Sequence, residues 1–178
     1  GLREAEAPKE PVAILGTSFA FVHLEDALEN TRFKLPAGSR VMQTGGFKGR
    51  SRTLDPDEMR EMLSTRFGIP ETHIVAEYGM TELSSQMYET SLRDALLGRD
   101  PKTRRFAVPG WMRAVPVDPD TLKPVPRGVT GILRLEDVAN LDSCAVIQTA
   151  DLAKLVDDGF VLLGRAEGSV PRGCSLAI

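Results

Sequence analysis

Two cysteines, two histidines and a single tryptophan are all that this 178-residue chain contains, and each scarcity removes a class of protein. Cys144 and Cys174 are too few for a disulfide scaffold, so a reducing, cytoplasmic setting is the expectation. His23 and His73 stand alone, without partners at metal-ligand spacing. No apolar run approaches the roughly 18 residues a membrane span needs. The opening residues, Gly1-Leu2-Arg3-Glu4-Ala5-Glu6, lack a signal peptide's apolar centre. Neither sign of charge dominates: 22 basic against 25 acidic residues leave a net charge of -3. The densest basic cluster is only Lys102, Arg104 and Arg105. Nucleic acids and anionic membranes are usually met by a basic stripe, so neither is an expected partner. Glycine and proline, 16 and 12 residues, are too sparse for low complexity. What remains is an ordinary globular composition, 42% hydrophobic and 26% charged, long enough to bury a core.

Six of the twelve prolines fall between Pro101 and Pro126, and the pattern changes there. Before them, short apolar runs alternate with helical spacing. Val12-Ala13-Ile14-Leu15, closed by Gly16, reads as a buried strand. Phe21, Val22, Leu24 and Leu28 recur at helical spacing within Phe19–Asn30. Arg40-Val41-Met42-Gln43-Thr44 is the next strand, stopped by Gly45-Gly46. Asp55-Pro56-Asp57-Glu58 is the strongest local signal: a capping aspartate, proline at the first helical position, and glutamate three residues after the cap. That helix runs to about Arg66 with Met59, Met62 and Leu63 inward, and Gly68 and Pro70 follow it. His73-Ile74-Val75-Ala76 is the third strand. Alternation of this kind implies parallel strands joined by helices.

After Pro109 come short β-like runs at Trp111–Val115, Gly131–Leu135, Ala145–Ile147 and Phe160–Leu163. Turn signals such as Asp118-Pro119-Asp120 and Asp157-Asp158-Gly159 separate them. The expected architecture is α/β. A partial doubly wound parallel or mixed sheet with helices occupies 1–109, and a small β-rich, barrel-like subdomain occupies 110–178.

Ligands of open parallel sheets sit at the carboxyl ends of the strands. Here those ends are Gly16-Thr17-Ser18, Thr44-Gly45-Gly46-Phe47-Lys48-Gly49-Arg50 and Tyr78-Gly79-Met80-Thr81-Glu82. Glycine admits close backbone approach, hydroxyls and amides suit phosphate oxygens, and a carboxylate can hold Mg2+. The same residues also favour plain turns, and no loop is a Walker or dinucleotide fingerprint. The residues by themselves therefore reach a nucleotide- or phosphoester-binding α/β domain and no further.

Tyr78-Gly79-Met80-Thr81-Glu82 resembles the Tyr-Gly-x-Thr-Glu motif of the adenylate-forming superfamily. Three segments follow in that superfamily's order. Thr149-Ala150-Asp151 resembles Thr-Gly-Asp, Gly164-Arg165-Ala166-Glu167 resembles the Gly-Arg-x-Asp hinge motif, and Arg172-Gly173 resembles the Lys-x-Arg-Gly beyond it. With Gln43 to Arg50, Arg165 to Ser169 and Arg172 to Leu176, the chain is most similar to the acyl-protein synthetases of the LuxE family. That family is known from the fatty-acid reductase complex of bacterial bioluminescence.

The resemblance implies ATP-dependent activation of a carboxylic acid, a fatty acid by preference, followed by transfer of the acyl group to a protein thiol. It assigns Tyr78 to the adenine face and Thr81 to the α-phosphate. Glu82 goes to Mg2+, Asp151 to the ribose hydroxyls, and Arg165 to the ribose and phosphate region. Gly45, Gly46 and Gly79 would line the nucleotide. Cys174 would accept the acyl group, with Arg172 beside it favouring the thiolate, and an acyl-CoA or fatty-acid reductase would be its partner. Cys144, in an apolar stretch, is expected to be a buried structural thiol. The family's upstream phosphate loop and its C-terminal lysine domain are not in this sequence, so the chain resembles the C-terminal portion of a longer enzyme. Two other readings stand beside this one: a phenylacetate-type acyl-CoA ligase, and a non-catalytic nucleotide-binding module.

Overall fold

The computed structural model describes residue 4 and residues 10–45 and 54–168. Two compact units are present, one of Gly1–Glu77 with Ser91–Lys102, the other of Tyr78–Thr90 with Thr103–Ile178.

The first unit is α/β. Strands β1 (Ala13–Thr17), β2 (Arg40–Thr44) and β3 (Ile74–Tyr78) are parallel, in the order β1-β2-β3. Their register sets Ile14, Val41 and Ile74 in one row. Helix α1 (Ser18–Leu28) connects β1 to β2, and α2 (Pro56–Phe67) connects β2 to β3. Thr17 caps α1, its hydroxyl accepting from the Ala20 amide at 3.1 Å. The capping box of α2 forms as its sequence requires: Asp55 accepts from the Asp57 amide, and Glu58 accepts from the Asp55 amide. Gly68 ends α2 in the left-handed region at φ 64°, and a Cβ there would stand 3.0 Å from the Phe33 carbonyl oxygen. Phe21 and Val22 of α1 join Met59, Leu63 and Phe67 of α2, with Val41 and Ile74, in one buried cluster. Each fully buried side chain of that size contributes roughly 1.5–3 kcal/mol.

Two features depart from expectation. β1 forms, but it is not buried: Leu15 is 65% exposed, because it alternates away from Ile14, which packs against the cluster. A short helix, α3 (Ser91–Leu96), belongs to this unit although no sequence signal marks it.

In the second unit β4 (Met87–Glu89), β5 (Phe106–Ala107), β6 (Met112–Val117), β7 (Gly131–Asp137), β8 (Val146–Val156) and β9 (Gly159–Arg165) are antiparallel in the order β4-β5-β9-β8-β7-β6. Phe106 and Phe160 stack at 5.5 Å. A side chain on Gly159, which opens β9, would collide with the Phe106 carbonyl. Glu89 and Arg104, both largely buried, form an ion pair at 3.0 Å. No helix among the described residues is long and apolar enough to cross a membrane.

Candidate active site

Asp151 is aimed by an irregular strand. Along β7 and β8, Arg134 pairs with Gln148 and Ile132 with Leu152. Three residues of β8, Thr149 to Asp151, therefore stand opposite the single residue Leu133. The ladder is broken there, and side chains replace it. The Leu133 carbonyl accepts from the Thr149 hydroxyl at 2.7 Å and from the Gln148 amide at 3.2 Å. The Thr149 hydroxyl also accepts from the Asp151 amide at 3.0 Å. A bulge of this kind re-aims the side chains it carries. The Thr-Ala-Asp segment is thus a local backbone device, and its threonine holds the shape.

Two side chains of the second unit converge on Asp151. Tyr78, the last residue of β3, donates its hydroxyl to Asp151 at 2.6 Å. Arg165, the last residue of β9 and the register partner of Asp151, brings its Nε to 3.6 Å from the other carboxylate oxygen. The Tyr78 ring lies 5.8 Å from both Phe106 and Phe160, tilted on one and edge-on to the other. Burial first, and then the hydrogen bond to Asp151, hold the Tyr78 phenol above its ordinary value near 10. Tyr78 therefore stays a neutral donor, and Asp151 keeps an acceptor role towards it. Arg165 is half exposed, with its guanidinium open to a further partner.

Gly79 leads from Tyr78 into a turn in which the Leu83 amide donates to the Met80 carbonyl at 3.0 Å. Thr81 and Glu82 occupy its two central positions, and both are exposed. A residue that the sequence reading passed over holds this segment. Asn140 donates to the Glu82 carbonyl at 2.7 Å and accepts from the Ser84 hydroxyl at 2.7 Å. Next to it, the Trp111 indole donates to the Ser85 hydroxyl at 2.9 Å. The only sequence cue for Asn140 was its place in the turn-rich stretch Asn140-Leu141-Asp142-Ser143, which suggests a loop and nothing more.

Tyr78, Gly79, Thr81, Glu82, Asp151 and Arg165 thus all belong to the second unit. Gly45 belongs to the first, at the end of β2, where its carbonyl accepts from Ser18 at 2.7 Å and its φ is 68°. Gly46 and Cys174 lie outside the described residues, as do Lys48 and Arg50. Cys144 corrects an expectation: it is exposed, because it sits in the β7–β8 turn ahead of the strand and offers its carbonyl to Asn140. Among the described residues no three His, Cys, Asp or Glu side chains converge on a metal position.

The fold is that of the adenylate-forming enzymes. A luciferase-like enzyme from the nonluminescent Zophobas morio mealworm superposes with a TM-score of 0.59 at 18% identity, covering 89% of this chain and 38% of its own. A benzoate CoA ligase from Burkholderia xenovorans gives 0.59 at 17%, over 92% and 33%. ATP-bound MatB from Rhodopseudomonas palustris gives 0.57 at 17%, over 86% and 31%. Within that class the sequence model of acyl-protein synthetase, LuxE, matches residues 2–178, and the chain belongs to this family. A long-chain-fatty-acid–luciferin-component ligase of Aliivibrio fischeri is 25% identical over 148 residues, 81% of this chain and 36% of the relative. The chain therefore spans about a third of the length of that relative.

Proposed function

We propose that this chain forms the nucleotide-facing part of a ligase that activates a fatty acid with ATP and passes the acyl group to a protein cysteine. The observation that carries the proposal is the meeting of Tyr78, Asp151 and Arg165, with Thr81 and Glu82 on the turn that follows Tyr78. In support, the Aliivibrio fischeri relative is named for a long-chain fatty acid, and the MatB neighbour was solved with ATP bound.

An ionised carboxylate accepts hydrogen bonds only, so Asp151 suits the donor hydroxyls of a ribose. Arg165 suits phosphate oxygens, and the Thr81 hydroxyl would donate to the α-phosphate. A carboxylate oxygen of the acid attacks the α-phosphorus. The phosphorus–oxygen bond to pyrophosphate breaks, and its electron pair leaves with pyrophosphate. Glu82 is an exposed carboxylate and, among the described residues, belongs to no group of three metal-ligating side chains, which fits Mg2+ shared with substrate phosphates and water rather than a protein cage. When bound, that ion neutralises charge on the departing pyrophosphate. In the second step the Cys174 thiolate attacks the acyl carbonyl, a carbon–sulfur bond forms and AMP leaves. An acyl-CoA or fatty-acid reductase would consume the thioester.

The test is ATP–pyrophosphate exchange across a panel of carboxylic acids with Mg2+. Exchange stimulated by fatty acids supports adenylation and names the substrate class. Silence both from this chain and from a longer gene product containing it overturns the proposal. Radiolabelled fatty acid trapped on Cys174, and lost in Cys174→Ser, establishes the protein acceptor. Release of acyl-CoA on adding coenzyme A would replace that second step.

A further inference from the structure

We propose that Asn140 is a positioning residue that sets the backbone of the Thr81–Glu82 turn, making the β7–β8 connection part of the site. The inference rests on reading Thr81 and Glu82 as the groups that face phosphate and metal. That turn is closed by a hydrogen bond from the Leu83 amide to the Met80 carbonyl, and both central side chains are exposed. The closing bond holds the Glu82–Leu83 peptide by its amide end, and its carbonyl end stays free to tilt unless a donor from outside the turn fixes it. Asn140 does so. Its side-chain amide spends both hydrogens, on the Glu82 carbonyl at 2.7 Å and the Cys144 carbonyl at 3.0 Å, while its oxygen accepts from Ser84 at 2.7 Å. Two carbonyls demand the amino end and a hydroxyl can supply the oxygen, so the orientation of this amide is determined by its partners.

Asn140 is itself fixed. It is 8% exposed, and its amide donates to the Asp137 carbonyl at 3.2 Å. Asp137, fully buried, accepts from the Ala139 amide and donates its own amide to the Ala145 carbonyl at 2.7 Å. A second tether runs parallel: the Val138 amide donates to the Trp111 carbonyl, and the Trp111 indole donates to Ser85. The motif turn is thus held at Glu82, Ser84 and Ser85 by side chains 26 to 58 residues away in sequence.

The experiment has two readouts on the chain. In hydrogen exchange, Asn140→Ala is expected to speed the amides of residues 82–86 by about tenfold, the size of one lost buried hydrogen bond, with β7 and β8 unchanged. Asn140→Asp, which loses the donor, behaves like Asn140→Ala, whereas Ser84→Ala stays within about threefold of wild type. In ATP–pyrophosphate exchange, Asn140→Ala lowers kcat by about tenfold or more and leaves the KM for ATP within about twofold, because the turn acts on charge that develops in the transition state. Wild-type exchange at residues 82–86 in both Asn140 variants overturns the proposal. So does uniform acceleration across the unit with kcat and KM unaltered, which would make Asn140 a stabiliser alone. A wild-type chain inactive towards every acid, alone and within the longer product, removes the functional reading. The hydrogen-exchange readout then still decides whether Asn140 sets the turn.

Discussion

The two units use buried polarity differently. In the first, two buried charges, Arg60 and Arg66, sit on α2 and fasten the helix to its surroundings, and a third, Asp94, lies on α3. Arg66 donates to Glu25 at 2.7 Å and to the Glu29 and Thr31 carbonyls, and Arg60 pairs with Asp57. The hydrogen bond to Glu25 outweighs burial and raises the Arg66 pKa. Beneath these pairs lies an unbroken apolar cluster. In the second unit, the polar groups gather around the motif residues: Tyr78 on Asp151, Asn140 on Glu82, Trp111 on Ser85. One unit therefore spends its polar contacts on holding a helix, and the other on aiming side chains. Substitutions should separate accordingly into losses of stability and losses of binding.

Phe67→Ala, at a fully buried position of the first unit, is expected to cost about 3–5 kcal/mol, read by denaturant unfolding. A loss below about 1 kcal/mol would show that its cluster is not what holds that unit together. Asp151→Ala strips the Tyr78 hydroxyl of its acceptor at an expected cost of about 1–3 kcal/mol. It should also weaken ATP binding by calorimetry; unchanged affinity with the fold intact by circular dichroism would remove the ribose role. Asp55→Ala, which deletes the α2 cap, should cost about 0.5–2 kcal/mol and leave ATP binding alone.

The pH response sharpens the contrast further. Tyr78 keeps its proton in the folded chain and releases it near 10 when unfolded, so its contribution is full below that pH and is lost as pH rises above it. Tyr78→Phe should therefore flatten the alkaline fall in stability measured by urea midpoints above pH 10. An identical slope in both proteins would mean that the phenol titrates normally. Smallest in stability is Glu82→Gln, an exposed change expected to stay within about 0.5 kcal/mol, yet it should abolish Mg2+-dependent turnover. Wild-type rates in that variant would place the metal elsewhere.

Much of the first unit was legible because its signals are local. The Asp55–Glu58 cap, the helical recurrence in α1 and the Arg40–Thr44 run each lie within a dozen residues, and each element appears where that reading put it. The exposure of Leu15 was not legible, since an apolar run states what can be buried and not which face has a neighbour. β4, β5 and α3 were missed for a related reason: strands of three and two residues and a helix of six are too short to show a period. At the site, resemblance to known motifs picked out Tyr78 and Asp151, but periodicity could not have joined residues 73 apart. Asn140 was beyond reach altogether, because its role consists of three hydrogen bonds that only the folded chain assembles. Cys144 was misread because the turn before β8 takes the polar residues that follow Leu141, and the strand proper starts at Val146.

The pairing of β8 with β9 has a consequence for which lengths of chain can work. Asp151 and Leu152 face Arg165 and Gly164, while Ala153 faces Leu162, so Leu163 is a supernumerary residue with no opposite number. It is 46% exposed, and replacing it by another side chain should change little. Removing it is another matter. A bulge bends its strand and raises the local twist, so deleting Leu163 would straighten the end of β9 and re-aim the guanidinium that Arg165, still opposite Asp151, presents to it. Here a residue matters by being counted, whatever its identity. The side chain at Leu163 can change, while the count of residues between Leu162 and Gly164 sets the bend that carries Arg165.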